Sequence, residues 1–429
     1  AEDTARQALK LVAGWHRPLA TDIGLISEGA LKLSVKIWAF GTHCSVMAEP
    51  VSAVAALLPT EFDLQVVWRG TKDYCGFHSG DWPVVKSDRA SPVREVFEKF
   101  WQKDNEGQRS HRDSLRDPAG FEEAFRGALV LEGAAFVDAD VGFCSEPAFA
   151  CMAMHETGKP LIGYFGVHIS FMLKEGEFQL DLYRRFRDQL VQDPRSTFAT
   201  VAPYISLQMF YHLPVEVPAV RPLSLYTQPA VYTALRPEEV LLNKRPIAFW
   251  DLAELLTAFA RINGERWTFM DAAELSGLGR SSFTDWAAFR ACVYFPYDWL
   301  QTMTFYDWVN MGIPTFVPDT PLYTYSRGTN AQDEWETVAW RIPRSVYPHH
   351  YSDWDDLQGR AYWWLLTDFR ALPGVSIFSS VTELFTGLAS EEVLWRSSSV
   401  LREAQLGRVA GSALFWRGAL LRALGGKAA

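Results

Sequence analysis

The sequence predicts an α/β chain of two doubly wound domains facing one another across a cleft. Three observations predict it. Strand-length apolar runs alternate with helix-length stretches through both halves, the pattern of parallel sheets with crossover helices. Between the halves, Pro214, Pro218, Pro222, Pro229 and Pro237 mark a linker, beyond which the alternation restarts. Residues 288–317 then read as strand, loop, helix, glycine stop and strand in one run.

The first strand is 33–40 (LSVKIWAF), ending at Gly41-Thr42-His43. Pro50 opens a short helix over 51–58, and 63–68 is a second strand. Residues 80–118 are polar and charge-mixed, with one amphipathic piece at 93–101. A helix at 121–129, strand-like sequence at 134–143 and a helix at 147–156 follow. After the break Gly158-Lys159-Pro160 come a strand at 161–165 and a helix at 178–191, and the prolines follow 203–213. Beyond the linker lie a short strand at 240–242, a helix at 250–262 and a strand at 267–270. The 288–317 run contributes a strand at 291–295, a helix opening near Thr302, the stop Gly312 and a strand at 313–317. Residues 323–352 are polar and aromatic without periodicity, as functional loops often are. A helix at 355–372, a strand at 375–378, a helix at 381–387 and a mainly helical 391–424 complete the chain. The expected domains are 1–225 and 235–390, with helices in 391–429 packing back on the first.

A chain of 429 residues is too long for one ordinary core, and 48% hydrophobic with 21% charged residues makes it globular. The aromatic share is 14%, with 17 Trp, so several indoles must be partly exposed. Sugar-binding clefts use such faces, although ordinary packing accounts for most of them. A net charge of −10 argues against a nucleic-acid partner, which needs a basic stripe. No apolar run of about 18 residues predicts a transmembrane segment. The five cysteines are odd in number, scattered and without a C-x-x-C pair, so neither a zinc site nor a disulfide framework is indicated. The absence of N-x-[ST] sequons favours the cytoplasm. Because the chain begins at Ala1, the Golgi or ER lumen stays open as the alternative if a targeting segment was removed.

In the 288–317 run the helix start turns unsatisfied N–H groups and the positive end of the dipole outward, a natural seat for a pyrophosphate at Thr302, Met303 and Thr304. Ordinary N-capping by threonine uses the same groups. Asp307, one turn in, is placed to receive a ribose or sugar hydroxyl, or else is an exposed first-turn acid complementing the dipole.

Two motifs carry a resemblance. Asp307-Trp308-Val309-Asn310-Met311-Gly312-Ile313-Pro314 matches, in order, an acid, a short run, a glycine and a proline at a strand start. The stretch from Asp140 through Glu146 and Pro147 to Lys159-Pro160-Leu161-Ile162 is similar to the last strand–helix–strand unit of an acceptor domain. Together with the linker they resemble the GT-B class of glycosyltransferases, over residues 33–390. The resemblance implies two Rossmann-like domains and transfer of a sugar from a nucleotide sugar to a glycan or other hydroxyl acceptor, with no metal cofactor. There are departures. Retaining members carry a second acid eight residues before the helix acid, where this chain has Trp299, with Asp298 one residue off register. The helix acid is Asp rather than Glu, and the preceding loop lacks the usual glycines. Stereochemistry is therefore open, and a catalytically silent relative that binds a glycan or a protein stands as the alternative.

The resemblance also implies site residues. Lys244-Arg245, after the first strand of the second domain, would offset charge on a leaving diphosphate; such pairs are often merely solvated. His43 lies past the first strand, on the carboxyl edge where ligands of open α/β sheets bind, and would serve as general base; a hydrogen-bonded loop histidine is the plainer reading. Gly41, Thr42, Glu146 and His168 are acceptor-side candidates, and Glu146 is equally a first-turn acid of the helix after Pro147. A rival is a GT-A enzyme whose Asp138-Ala139-Asp140 holds Mn²⁺. His349-His350 with Asp353, Asp355 and Asp356 reads as a solvated surface. The tail from Gln405, with Arg408, Arg417, Arg422 and Lys427 and a face of Leu414, Phe415, Leu420, Leu421 and Leu424, packs on the first domain or makes weak peripheral membrane contact.

Overall fold

The computed structural model describes residues 32–41, 43–70, 91–102, 114–115, 117–166, 169, 173, 176–212, 215–243, 252–272, 275, 278, 282–296, 303–319 and 357–425. Strands β1 (Leu33–Gly41), β2 (Phe62–Gly70), β5 (Val141–Cys144), β6 (Leu161–Phe165) and β7 (Thr197–Thr200) form a parallel sheet in the order β2-β1-β5-β6-β7, and β3 (Trp101–Gln102) pairs separately with β4 (Ser114–Leu115). A second parallel sheet has the order β12-β11-β10-β8-β9, from β8 (Arg236–Leu242), β9 (Thr268–Asp271), β10 (Phe289–Val293), β11 (Thr315–Pro318) and β12 (Ser376–Phe378). In each sheet the chain enters beside the edge, adds one strand outward, then reverses and adds three on the other side. Both sheets therefore have a topological switch point, between β1 and β5 and between β8 and β10, where open α/β sheets hold ligands. This is the doubly wound α/β class read from the sequence.

The helices of the first half are α1 (Cys44–Leu57), α2 (Pro92–Phe100), α3 (Pro118–Leu131), α4 (Ala134–Val137), α5 (Ala148–His155), α6 (Gly176–Arg185) and α7 (Pro203–His212). Those of the second are α8 (Leu252–Ile262), α9 (Phe283–Ala287), α10 (Met303–Asn310), α11 (Leu357–Leu365), α12 (Asp368–Ala371), α13 (Val381–Ala389) and α14 (Glu391–Ala423). The period of two along β1 explains the layers. Val35, Ile37 and Ala39 face one buried cluster, while Trp38 and Phe40 face another with Phe97, Phe121, Phe125 and Phe149. The first cluster continues into the second half through Leu241, Cys292, Tyr306, Trp308 and Trp363.

Several elements differ from the sequence reading. Helix α1 begins at Cys44, and Pro50 sits inside it rather than at its start. An interior proline costs about 3 kcal/mol, but Cys44 and Val46–Val54 are all buried, so packing against the sheet outweighs it. Residues 134–143 are not one strand: Gly133, at φ 58°, opens the one-turn helix α4, and β5 starts only at Val141. The helix read over 355–372 breaks between Leu365 and Asp368, where the Thr367 hydroxyl donates to the Trp364 carbonyl at 2.7 Å. Strand β7 was absent from the sequence reading. The cysteine reading is also corrected: Cys144 and Cys151 form a disulfide with Cα atoms 5.6 Å apart, Cys44 is disulfide-bonded as well, and Cys292 is a buried free thiol. The stretch 323–352 lies outside the described residues.

Helix α14 reaches both halves. Its Trp416 packs edge-on against Tyr164 of β6, with ring centres 5.3 Å apart, and Arg417 donates to Glu61 at 2.6 Å. Ala413, Trp416, Ala419, Leu420, Ala423 and Leu424 are core residues, and Phe415 and Leu421 pack against them. Of the face expected to reach a membrane, Leu414 alone is exposed, so that contact is not supported. No helix among the described residues is long and apolar enough to cross a membrane.

Candidate active site at the first switch point

Strand pairing builds the site. Phe40 of β1 lies opposite Cys144 of β5, and Cys144 opposite Gly163 of β6, so the chain leaves three adjacent strands side by side. Leaving β1, the chain reaches His43, the extended N-cap of α1; leaving β5, it reaches Ser145 and Glu146. The Ser145 N–H donates to the Phe40 carbonyl at 3.1 Å and continues the pairing one step past β5. Gly41 is required here by space: a Cβ on it would collide with Ser145 Oγ and Met47. It is buried.

His43 and Glu146, 103 residues apart in sequence, meet at this point. His43 Nδ1 lies 3.3 Å from Glu146 Oε2, with the imidazole side chain 48% exposed and the carboxylate 1%. The other carboxylate oxygen, Oε1, accepts the Gly166 N–H at 2.6 Å just past β6. Gly166 also has no room for a side chain, since a Cβ would sit 2.9 Å from Glu146 Oε1. The carboxylate is thus pinned from two sides and holds the ring by Nδ1. When Nδ1 carries the proton, the basic lone pair lies on Nε2, on the half-exposed ring. A carboxylate that fixes the tautomer and stabilises the imidazolium is the arrangement a general base needs. The two acceptor-side candidates Thr42 and His168 fall outside the described residues.

At the second switch point, α10 follows β10 as the sequence predicts, and Gly312 ends it at φ 74°. Met303 is buried and Thr304 half-buried in its first turn; Thr302, Lys244 and Arg245 lie outside the described residues. Asp307 is not an exposed first-turn acid. It is buried, its Oδ1 accepts the Tyr226 hydroxyl at 2.6 Å, and Ser224 is a second hydrogen-bond partner. The expected hydroxyl acceptor is therefore an interior group. The reason is that α10 lies between the second sheet, the 221–227 segment and α14, which buries every residue from Phe305 to Asn310.

Asp307 belongs to a buried polar seam that the sequence reading missed. Glu49 of α1 accepts the N–H groups of Leu223 and Ser224 at 2.8 and 2.9 Å. Asn310 donates to the Pro222 carbonyl at 2.9 Å and accepts from Arg408 of α14 at 2.7 Å. Asp368 accepts two bonds from Arg221, both 2.8 Å, and one from the Tyr306 hydroxyl at 2.7 Å. Burial pushes the Glu49 carboxyl up to about 7, against the pull of its two backbone donors, and pushes Asp307 up to about 7, against the pull of Tyr226 and Ser224. Burial also lowers the Arg408 guanidinium and raises the Tyr226 phenol well above its usual range. One signal was available: Glu49 is the only acid in the apolar stretch Cys44–Leu57.

The two acids of the metal-site rival lie away from this point. Asp138 and Asp140 precede β5, and Asp140 exchanges hydrogen bonds with the Lys36 backbone near the start of β1. They lie at the amino ends of strands whose carboxyl ends carry His43 and Glu146. Among the described residues no group of three or more His, Cys, Asp or Glu side chains is placed to hold a metal; His349 and His350 fall outside them. A depression of about 630 Å³ lined by Phe316, Ile377, Phe378, Glu383 and Thr386 lies along the edge strand β12, not at either switch point.

No family model matches the sequence, and no curated protein does. Among solved structures, the chain is similar to the calicheamicin glycosyltransferase CalG4, at 12% identity over 91% of this chain and 99% of that one, with a TM-score of 0.43. It is similar to a glycosyltransferase from Rickettsia africae at 8% identity, over 90% and 99%, with a TM-score of 0.47. A UDP-glucosyltransferase from Polygonum tinctorium gives 9% identity over 90% and 100%, with a TM-score of 0.40. Likenesses this distant do not bear on activity or on the roles of residues.

Proposed function

We propose that this protein transfers a sugar from a nucleotide sugar to an acceptor hydroxyl, without a metal, using His43 as general base and Glu146 as the group that holds it. The observation that carries this reading is the His43–Glu146 pair on the carboxyl edge of the first sheet, at its switch point. As the acceptor oxygen bonds to the anomeric carbon, its proton passes to Nε2, and the bond from that carbon to the diphosphate oxygen breaks. Glu146 offsets the positive charge that develops on the ring. The negative charge on the departing diphosphate is met by the first N–H groups of α10, at Met303 and Thr304, and by Lys244 and Arg245. The motif resemblance over Asp307–Pro314 favours glycosyl transfer over other uses of a held histidine.

A second reading, binding without transfer, draws support from one observation. Asp307, the acid expected to grip a donor hydroxyl, is buried against Tyr226. The two readings separate in one experiment. Thermal shift against a panel of nucleoside diphosphates finds the donor base, because a ligand that binds only the folded protein raises its apparent stability. Transfer is then assayed in wild type and His43→Ala. The transferase reading expects a loss of about 10²–10⁴-fold with nucleotide affinity unchanged. Equal transfer in the two proteins removes His43 from the mechanism, and nucleotide binding with no transfer in either supports the silent relative.

A further inference from the structure

Two bridged cysteines frame the residues that make the His43–Glu146 pair. Cys144 is the last residue of β5 and Cys151 lies in the first turn of α5, seven residues on; Glu146 stands in the loop they close. Cys151 Sγ is 3.5 Å from the Ser145 carbonyl oxygen, so the bridge packs directly against that loop. Cys44, next to His43 in the chain, is also disulfide-bonded. Every bridged cysteine among the described residues thus lies within five residues of one member of the pair, and Cys292, in the second sheet, is free.

Glu146 needs such support. It is a carboxylate at 1% exposure whose partners are the Gly166 N–H and the His43 ring, with no Lys or Arg beside it among the described residues. A buried carboxylate with so few donors gains by swinging out to water unless its backbone is held. The strand side of the loop is fixed by the pairing of Cys144 with Phe40 and Gly163. The helix side is held by packing, since Ala148–Met154 are all buried, but packing alone leaves it no covalent link to the strand. The bridge supplies that tie and removes loop conformations in which the carboxylate turns away. Both sulfurs belong to residues with 1% exposure or less, among Phe149, Phe121 and Phe165, so a thiol reaches them only when the region opens. This is a standing brace rather than a rapidly responding switch.

We propose that the Cys144–Cys151 disulfide is a positioning element: it holds Glu146 where it fixes the tautomer of His43, and the competent pair exists only in the bridged protein. The inference rests on the general-base reading for its effect on transfer, but not for its effect on the ring.

The test uses the full chain labelled with ¹⁵N-histidine, with the His43 resonances assigned by loss in His43→Gln. The wild type is expected to show the Nδ1-protonated tautomer. The Cys144→Ala/Cys151→Ala double variant, folded by circular dichroism, is expected to shift to the Nε2-protonated tautomer that free histidine favours, as Glu146→Gln should with its bridge intact. Transfer in the double variant should fall at least about tenfold in kcat, toward the about 10²–10⁴-fold that a positioned base contributes, with nucleotide binding unchanged. If the double variant does not fold, Cys151→Ala alone, which opens the same bridge and leaves the one at Cys44 intact, is read the same way. A native tautomer in the unbridged protein overturns the proposal, as does peptide mapping that finds free thiols at 144 and 151. If His43→Ala leaves transfer unchanged, the general-base reading falls while the tautomer result still decides the bridge.

Discussion

Replacing Asp307 by Asn should stabilise the protein in alkaline solution and do little in acid. The carboxyl is fully buried, and burial raises it from the ordinary 3.8 to about 7, with the Tyr226 and Ser224 hydrogen bonds pulling the other way. A carboxyl raised in the folded state contributes stability that is fully present below its unfolded value and is lost as pH rises through the folded one. The window therefore runs from about pH 4 to above 7. At 1.36 kcal/mol per unit, a rise of about three units corresponds to roughly 4 kcal/mol lost across that window. Asn accepts the Tyr226 hydroxyl through its own carbonyl and never ionises. The variant should match wild type within about 1 kcal/mol at pH 5 and exceed it by about 1–4 kcal/mol at pH 8.5. Urea unfolding at pH 5, 6, 7 and 8.5, followed by tryptophan fluorescence, measures this directly. Parallel stability profiles, or a variant weaker at pH 8.5, would refute the buried-acid account. A variant of unchanged stability that had lost nucleotide-sugar binding would instead return Asp307 to the donor site.

Three further outcomes are expected. Arg221→Ala removes both guanidinium hydrogen bonds from the fully buried Asp368, and should cost about 3–5 kcal/mol in chemical denaturation, with Arg221→Ala/Asp368→Asn recovering part of the loss. In Gly166→Ala the new Cβ stands 2.9 Å from both Glu146 Oε1 and Val46 Cγ2, so stability should fall by about 1–3 kcal/mol and transfer should fall further than nucleotide binding. EDTA should leave nucleotide affinity and transfer unchanged in calorimetry and a coupled assay; loss restored by Mn²⁺ and mimicked by Asp138→Ala or Asp140→Ala would bring back the metal-dependent reading.

What could be read from the sequence follows from what is local. Leu161–Phe165 was legible to the residue because Pro160 and Gly166 punctuate an apolar run of strand length. Thr197–Thr200 was not, being four residues long with a threonine at each end. The run 134–143 illustrates the ambiguity of short apolar stretches: helix and strand compete, and Gly133 at positive φ settles it as a helical turn. Both His43 and Glu146 were visible as separate candidates beyond strand ends. Their pairing was not, because it depends on β1 lying beside β5 in a register with Phe40 opposite Cys144. The burial of Asp307 was hidden for the complementary reason. A first-turn acid reads as exposed until a third element, here the segment around Tyr226, is known to cover that face of the helix.

The seam also bears on how the two switch points relate. His43 caps α1, and Glu49 in the same helix grips Leu223 and Ser224; Ser224 in turn contacts Asn310 of α10. Helix α14 closes the circuit, bonding Asn310 through Arg408 and Glu61 through Arg417. Sliding one half against the other would strip Asn310 of the Pro222 carbonyl and of Ser224, leaving polar groups buried without partners. Each such loss costs about 1–3 kcal/mol, more where the group is charged. That resists gross rearrangement here, so the helix that follows His43 and the helix that begins at Met303 are held in one relation before any ligand arrives. Specificity of arrangement, rather than net stability, is what a buried network of this kind supplies.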